Sequence, residues 1–141
     1  MKDIDLAKLI LKEEDLTLVV IRNGEVIFKS KDKGIKPMYI LATEMKTKAQ
    51  GGYLADKVIG KGAAMLCGYI GINEVYTELI SNGGIITLNK NNIPFTIEES
   101  CAYIKNRDKT DYCPIEKLSI EIEDPILLLD AIKEFFISIG K

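Results

Sequence analysis

Three short segments of this 141-residue chain carry side chains able to do chemistry. The first is Val58-Ile59-Gly60-Lys61-Gly62-Ala63. Its Gly-Lys pair invites a phosphate-loop reading, but the pattern GxxxxGK[ST] fails twice. Ala55 stands at the first glycine, and Gly62 stands where a magnesium-binding hydroxyl belongs. Lys57 and Lys61 are instead expected one helical turn apart on one face, either simply solvated or forming an anion site with a nearby helix start. Asp56 is placed to orient either lysine. The second segment is Val75-Tyr76-Thr77-Glu78-Leu79-Ile80-Ser81. Strand alternation sets Tyr76, Glu78 and Ile80 on one side and Val75, Thr77 and Leu79 on the other. Glu78 and Ser81 then lie near the C-terminal end of a strand, where ligands collect in open α/β sheets. The third runs from Asn106-Arg107 to Cys113-Pro114. A cysteine at a helix start meets unpaired amides and the positive end of the dipole, both of which favour a thiolate. Arg107 and Lys109 add positive charge, while Asp108 and Asp111 oppose it. Inert burial is the plainer fate of a lone cysteine, and Cys67 and Cys101, in apolar patterns, are expected to be more inert than Cys113.

The chain has no histidine. Imidazole catalysis, Ser–His–Asp and Cys–His machinery and HExxH zinc sites are therefore excluded, and proton transfer falls to Asp, Glu, Cys, Lys or Tyr. Three cysteines without a CxxC pair, and without a signal-peptide pattern, lead us to expect free thiols in a reducing cytoplasm. No zinc, other metal or cofactor is expected. A net charge of −2 with no basic stripe argues against duplex nucleic acid. The lysine groups at Lys29, Lys31, Lys33 and Lys36, and at Lys46 and Lys48, read as a solvated loop rim, with anion steering as the alternative. Apolar runs stop well short of the ~20 residues that span a bilayer, so no membrane partner is expected.

The elements that must position these residues follow from periodicity and turn chemistry. Ile4 to Glu13 reads as a helix with Leu6, Leu9 and Ile10 on one face. Leu16 to Arg22 and Glu25 to Lys29 flank Asn23-Gly24, which predicts a hairpin at or near a sheet edge. Lys36 to Met45 suits a helix with Pro37 in its first turn. Tyr53 to Ile70 reads as one long helix, rich in small residues that would let its backbone approach a sheet or a ligand. Glu74 to Ile80 is a strand, and Ser81 or Asn82 is placed to cap a helix after it. Ile85 to Asn89 is ambiguous between strand and helix, and Pro94 to Ile97 reads as a strand. Ser100 to Lys117 reads as mostly irregular, with a helix starting at Cys113-Pro114. Asp124-Pro125 opens a last helix with Leu128, Ile132, Phe135 and Ile139 on one face, and Gly140 ends it. The length fits one domain, residues 1–141.

Taken in order and spacing, Asp56 to Ala64, Val75 to Ser81, and Asn106-Arg107 with Cys113-Pro114 resemble a family of small prokaryotic proteins. That family is of unknown function and is assigned a cytidine-deaminase-like fold. The resemblance covers most of the chain and implies a three-layer α/β/α sandwich around a mixed sheet. In true deaminases the long helix opens with a His/Cys-x-Glu motif and the next strand leads into Pro-Cys-x-x-Cys. The comparable places here hold Gly60-Lys61-Gly62 and Ser81-Asn82-Gly83-Gly84, without the metal ligands or the proton-shuttling glutamate. Deaminase chemistry therefore does not carry over with the fold. The resemblance also implies self-association, as a homodimer, to which the sequence adds only a small net charge and abundant apolar residues. Three functions remain open. The first is a small anionic-ligand binding or non-zinc catalytic domain, with Cys113 and Glu78 as catalytic residues and Lys57, Lys61, Ser81 and Arg107 as ligand-binding residues in one cleft. The second is a non-enzymatic oligomerisation or protein-interaction module. The third is a thiol function centred on Cys113.

Overall fold

The Asn23-Gly24 turn places both residues at positive φ, 53° and 77°, and folds β1 (Leu18–Arg22) back onto β2 (Glu25–Ser30). A computed structural model describes residues 1–105 and 113–140. The hairpin forms one edge of a five-stranded sheet of order β2-β1-β3-β4-β5, completed by β3 (Tyr53–Ile59), β4 (Glu74–Ser81) and β5 (Phe95–Cys101). Pairing is antiparallel from β2 to β3 and parallel from β3 to β5, so the sheet is mixed. Leu18, Val19, Val20 and Ile21 are all buried, which makes β1 a strand with apolar layers on both faces.

Helix α1 (Asp3–Glu13) supplies one of those layers. Ala7 and Leu11 pack with Leu16, Val19, Ile21, Ala55 and Tyr76. Of the expected face, Leu6 and Ile10 pack against this cluster, whereas Leu9 is exposed, and the fully buried positions, Ala7 and Leu11, are four apart on a line that includes a small alanine. The other layer is larger. It holds α2 (Lys36–Glu44), the short α3 (Lys46–Ala49), α4 (Lys61–Ile70), α5 (Asn82–Lys90), α6 (Pro114–Ser119) and α7 (Pro125–Ser138). Met38, Leu41, Leu66, Ile70, Leu88, Leu128 and Ile132 from these helices share a core with Leu18, Val20, Leu54 and Val75 of the sheet. Helices thus cover both faces of a mixed sheet, in three layers.

The long helix expected from Tyr53 to Ile70 is two elements. Tyr53–Ile59 is the strand between β1 and β4, and Gly60, extended at φ −100° and ψ −173°, separates it from α4. β-branched and aromatic residues at Tyr53, Val58 and Ile59 suit a strand, and pairing on both sides outweighs the helical tendency of the alanines. Helical Ile85 and Asn89 resolve the ambiguous segment as α5, and β5 extends four residues beyond the expected Ile97.

The expected alternation along β4 holds for Val75, Tyr76 and Glu78 but breaks at Ile80, and for a local reason. Val75 and Ile80 lie in the same core although five residues apart, as do Leu54 and Ile59 on β3. Both parallel ladders skip one level, that of Lys57, Glu78 and Glu98. Just before it, the paired residues Asp56 and Thr77 bond their own backbone. Val58 N–H donates to Asp56 Oδ1 at 3.3 Å, and Thr77 Oγ1 donates to the Leu79 carbonyl at 3.1 Å. These side chain–backbone bonds replace ladder bonds and turn the strand ends over together. Ile80 consequently joins the α4 side, away from Tyr76.

Candidate functional site

Parallel β3 and β4 each run directly into a helix, so the N-termini of α4 and α5 stand side by side beyond their C-terminal ends. Ser81 caps α5, its Oγ accepting from Gly84 N–H at 3.0 Å. Gly84 is required there, since a Cβ would lie 2.8 Å from Ile80 Cγ1 and 3.1 Å from the Ile59 carbonyl oxygen. This is where an open α/β sheet ordinarily binds a ligand. The chain fills much of it with its own carboxylate. Glu116 of α6, only 8% exposed, accepts from Lys61 N–H at 3.0 Å through Oε1 and from Ile104 N–H at 2.8 Å through Oε2. A Cβ on Gly60 would overlap Glu116 Oε1, so the glycine makes room for the carboxylate. Lys61 Nζ donates to the Ile120 carbonyl at 3.0 Å and pairs with Glu123 at 2.8 Å.

Of the six residues expected to converge, the five that are described lie on two sides of the sheet. Lys57 and Lys61 share no helix face. Lys57 lies on β3 and pairs with Asp15 at 2.8 Å, on the side of the sheet that α1 covers. Glu78 acts electrostatically on Lys57 and Lys12 and so belongs to the same side. Lys61, Ser81 and Cys113 lie on the other side, at the ends of α4, α5 and α6. Arg107, with Lys109, Asp108 and Asp111, lies outside the described residues. Asp56 orients neither lysine; it turns to the amides of Val58 and Lys57. The glycines of α4 serve neighbouring elements rather than the sheet: Gly62 faces Ile115 of α6, and Gly68 faces Asn91.

Burial sets the ionisation of the interior groups. It raises the Asp56 carboxyl to about 7 against the two amides that favour its charge. It also raises the Cys67 thiol, with the Asp56 charge adding to the effect. Burial raises Cys101 as well, followed by the charge of Glu116. Cys113 is half-buried at the position before Pro114, as expected, but the helix it starts has six residues. Among the described residues no group of three His, Cys, Asp or Glu side chains could hold a metal, and no helix is long and apolar enough to cross a membrane.

Two places escaped sequence reasoning. Glu116 was legible only as an acidic residue in the first turn of a short helix. The outward stripe of α7 was hidden by the stronger inward one. Ile126, Asp130, Lys133 and Ile137 are spaced four, three and four apart, which aligns them along one exposed side of the helix. Ile126, the adjacent Leu127 and Ile137 are 49%, 58% and 67% exposed. Asp130 and Lys133 form no ion pair with any described residue.

Residues 6–136 match the family model for Domain of unknown function (DUF1893). A crystal structure of a DUF1893-family protein from Thermotoga maritima is similar over 96% of this chain and 92% of its own, at 27% identity and a TM-score of 0.85. A dCMP deaminase from the cyanophage S-TIM5, in its apo form, is similar over 70% of this chain and 94% of its own, at 13% identity and a TM-score of 0.47. No match is found among curated proteins.

Proposed function

We propose, for a chain that belongs to the DUF1893 family, a domain of unknown function, that it works as a self-associating, non-enzymatic module whose contact surface is the outward stripe of α7. The observation that carries this reading is the palindromic chemistry of that stripe. A two-fold axis beside Ala131 sets Ile126 against Ile137 of a second copy and Asp130 against its Lys133. The same contacts repeat on the other side of the axis, as a self-complementary interface requires. Two large apolar side chains at the ends and opposite charges between them suit an antiparallel helix pair better than they suit water. A net charge of −2 leaves little repulsion between copies. The separation of Lys57 and Glu78 from Lys61, Ser81 and Cys113, and the carboxylate already held at the α4 N-terminus, weigh against the alternative of one shared catalytic cleft.

Light scattering after size exclusion, at micromolar concentration, tests the reading. The wild-type chain is expected at twice its monomer mass. Ile126→Glu combined with Ile137→Glu is expected to give a monomer, because it puts carboxylates where apolar contact is needed. Asp130→Lys alone sets like charges across the axis and is expected to weaken the dimer. Adding Lys133→Asp restores the opposite charges and is expected to recover it. A monomeric wild type, or a dimer indifferent to all of these changes, rules the reading out.

A further inference from the structure

On the opposite side of the sheet, Tyr76 is 1% exposed and its hydroxyl has no hydrogen-bond partner among the described residues. A buried hydroxyl without a partner costs about 1–3 kcal/mol, so its retention calls for a reason. Two lysines of α1 stand over the ring. Lys8 Nζ is 5.0 Å and Lys12 Nζ 5.6 Å from its centroid. They are one helical turn apart, a spacing at which like charges repel by a few tenths of a kcal/mol, and neither forms an ion pair with a described residue. Tyr76 also lines a cavity of about 220 Å³ between α1 and the β4–β5 edge, together with Lys2, Ile4, Asp5, Lys8, Glu74 and Thr96. Charges of both signs therefore line one small cavity without pairing with one another.

We propose that this cavity binds a small zwitterion of amino-acid size, an oxyanion and an ammonium joined by a short chain. The oxyanion accepts from the Tyr76 hydroxyl and lies between the Lys8 and Lys12 ammoniums. The ammonium of the ligand lies against Asp5 and Glu74. A bare anion would gain the lysines but meet the two carboxylates, and a bare cation the reverse. Only a molecule with both groups meets the lysines and the carboxylates together and gives the buried hydroxyl a partner. The Tyr76 hydroxyl is the strongest influence on Lys12, near it though outside hydrogen-bond geometry, and Glu98 and Glu78 add to it, which favours a ligand whose negative end stays near Lys8 and Tyr76.

Titration of the labelled full chain, followed by amide chemical shifts, tests the site with four probes: O-phosphoethanolamine, β-alanine, inorganic phosphate and ethanolamine. At least one zwitterion is expected to shift α1 and β4 amides saturably and to bind about tenfold tighter than phosphate or ethanolamine alone. Tyr76→Phe is expected to weaken that binding about fivefold while leaving the urea midpoint unchanged or higher, since it deletes an unsatisfied group. Lys8→Gln is the second variant, expected to weaken binding without unfolding the chain. The proposal is overturned if neither zwitterion saturates, if phosphate alone binds as tightly, if Tyr76→Phe leaves the affinity unchanged, or if Tyr76→Phe lowers the midpoint, which would give the hydroxyl a structural partner. The dimer stripe lies on α7, so the outcome is independent of oligomeric state.

Discussion

Among the described carboxyls, Asp56 is the one whose ionisation is most displaced by its surroundings. Its carboxyl titrates near 7 rather than at 3.8 because burial under α4 penalises the charge more than the amides of Val58 and Lys57 favour it. The folded chain therefore holds this proton to higher pH than the unfolded chain does. The stabilisation is complete below about pH 4 and is lost as pH rises through 7. Three units correspond to a few kcal/mol, on the order of 2–4 once partial exposure is discounted. Urea midpoints of the wild-type chain are expected to fall between pH 4 and 8, and those of Asp56→Asn to fall much less over the same interval. Parallel profiles for the two proteins would show that the carboxyl is solvated. Asp56 was legible as a polar residue beside two lysines, but its partner could not be read, because the turn back onto Val58 N–H depends on β3 being a strand.

Among the elements, α6 matters more than its length suggests. Its Glu116 satisfies two backbone amides from distant parts of the chain, at the start of α4 and at Ile104, and ties the C-terminal segment across the ends of β3 and β4. A carboxylate at a helix N-terminus also complements the dipole. Glu116→Ala leaves both donors without acceptors and is expected to destabilise the fold by about 2–4 kcal/mol. Glu116→Gln, which keeps one acceptor oxygen, is expected to recover part of this. Urea denaturation measures the difference, and hydrogen exchange at Lys61 and Ile104 locates it. Equal losses for the two variants would mean that shape, not acceptance, holds α6 in place. The hairpin, α2, β4 and α7 were all legible, since each is marked by its own turn, cap or apolar spacing. The β3–α4 boundary was not, because Gly60 signals a break without saying what precedes it.

At the scale of the whole molecule, the two cores share one sheet. The α1 layer packs on Val19, Ile21, Ala55 and Tyr76, and the larger layer packs on the alternate residues of the same strands. Neither layer can leave without exposing strands that the other needs, so we expect one cooperative transition. With six tyrosines and no tryptophan, tyrosine fluorescence and far-ultraviolet dichroism report it independently and are expected to coincide. If the chain self-associates through α7, folding and association are linked, and the midpoint rises with protein concentration. A midpoint that stays constant over a hundredfold dilution, about 2.7 kcal/mol of linked free energy, would separate the fold from any dimer.

Composition and local chemistry by themselves settled the α/β class, the edge hairpin, the capping of α7 by Asp124 and the lack of histidine chemistry, and narrowed the cap after β4 to Ser81 or Asn82. These depend on residue type and on neighbours a few positions away, which any chain carries openly. The tertiary structure alone decided that Lys57 and Lys61 face different partners, that Glu116 occupies the end of α4, and that Tyr76 is buried with an orphaned hydroxyl. Each of those facts depends on residues tens of positions apart meeting across the sheet. A strand with both faces buried loses the apolar–polar alternation that marks a half-exposed one, so β3 resembled a helix until its pairing with β1 and β4 was known.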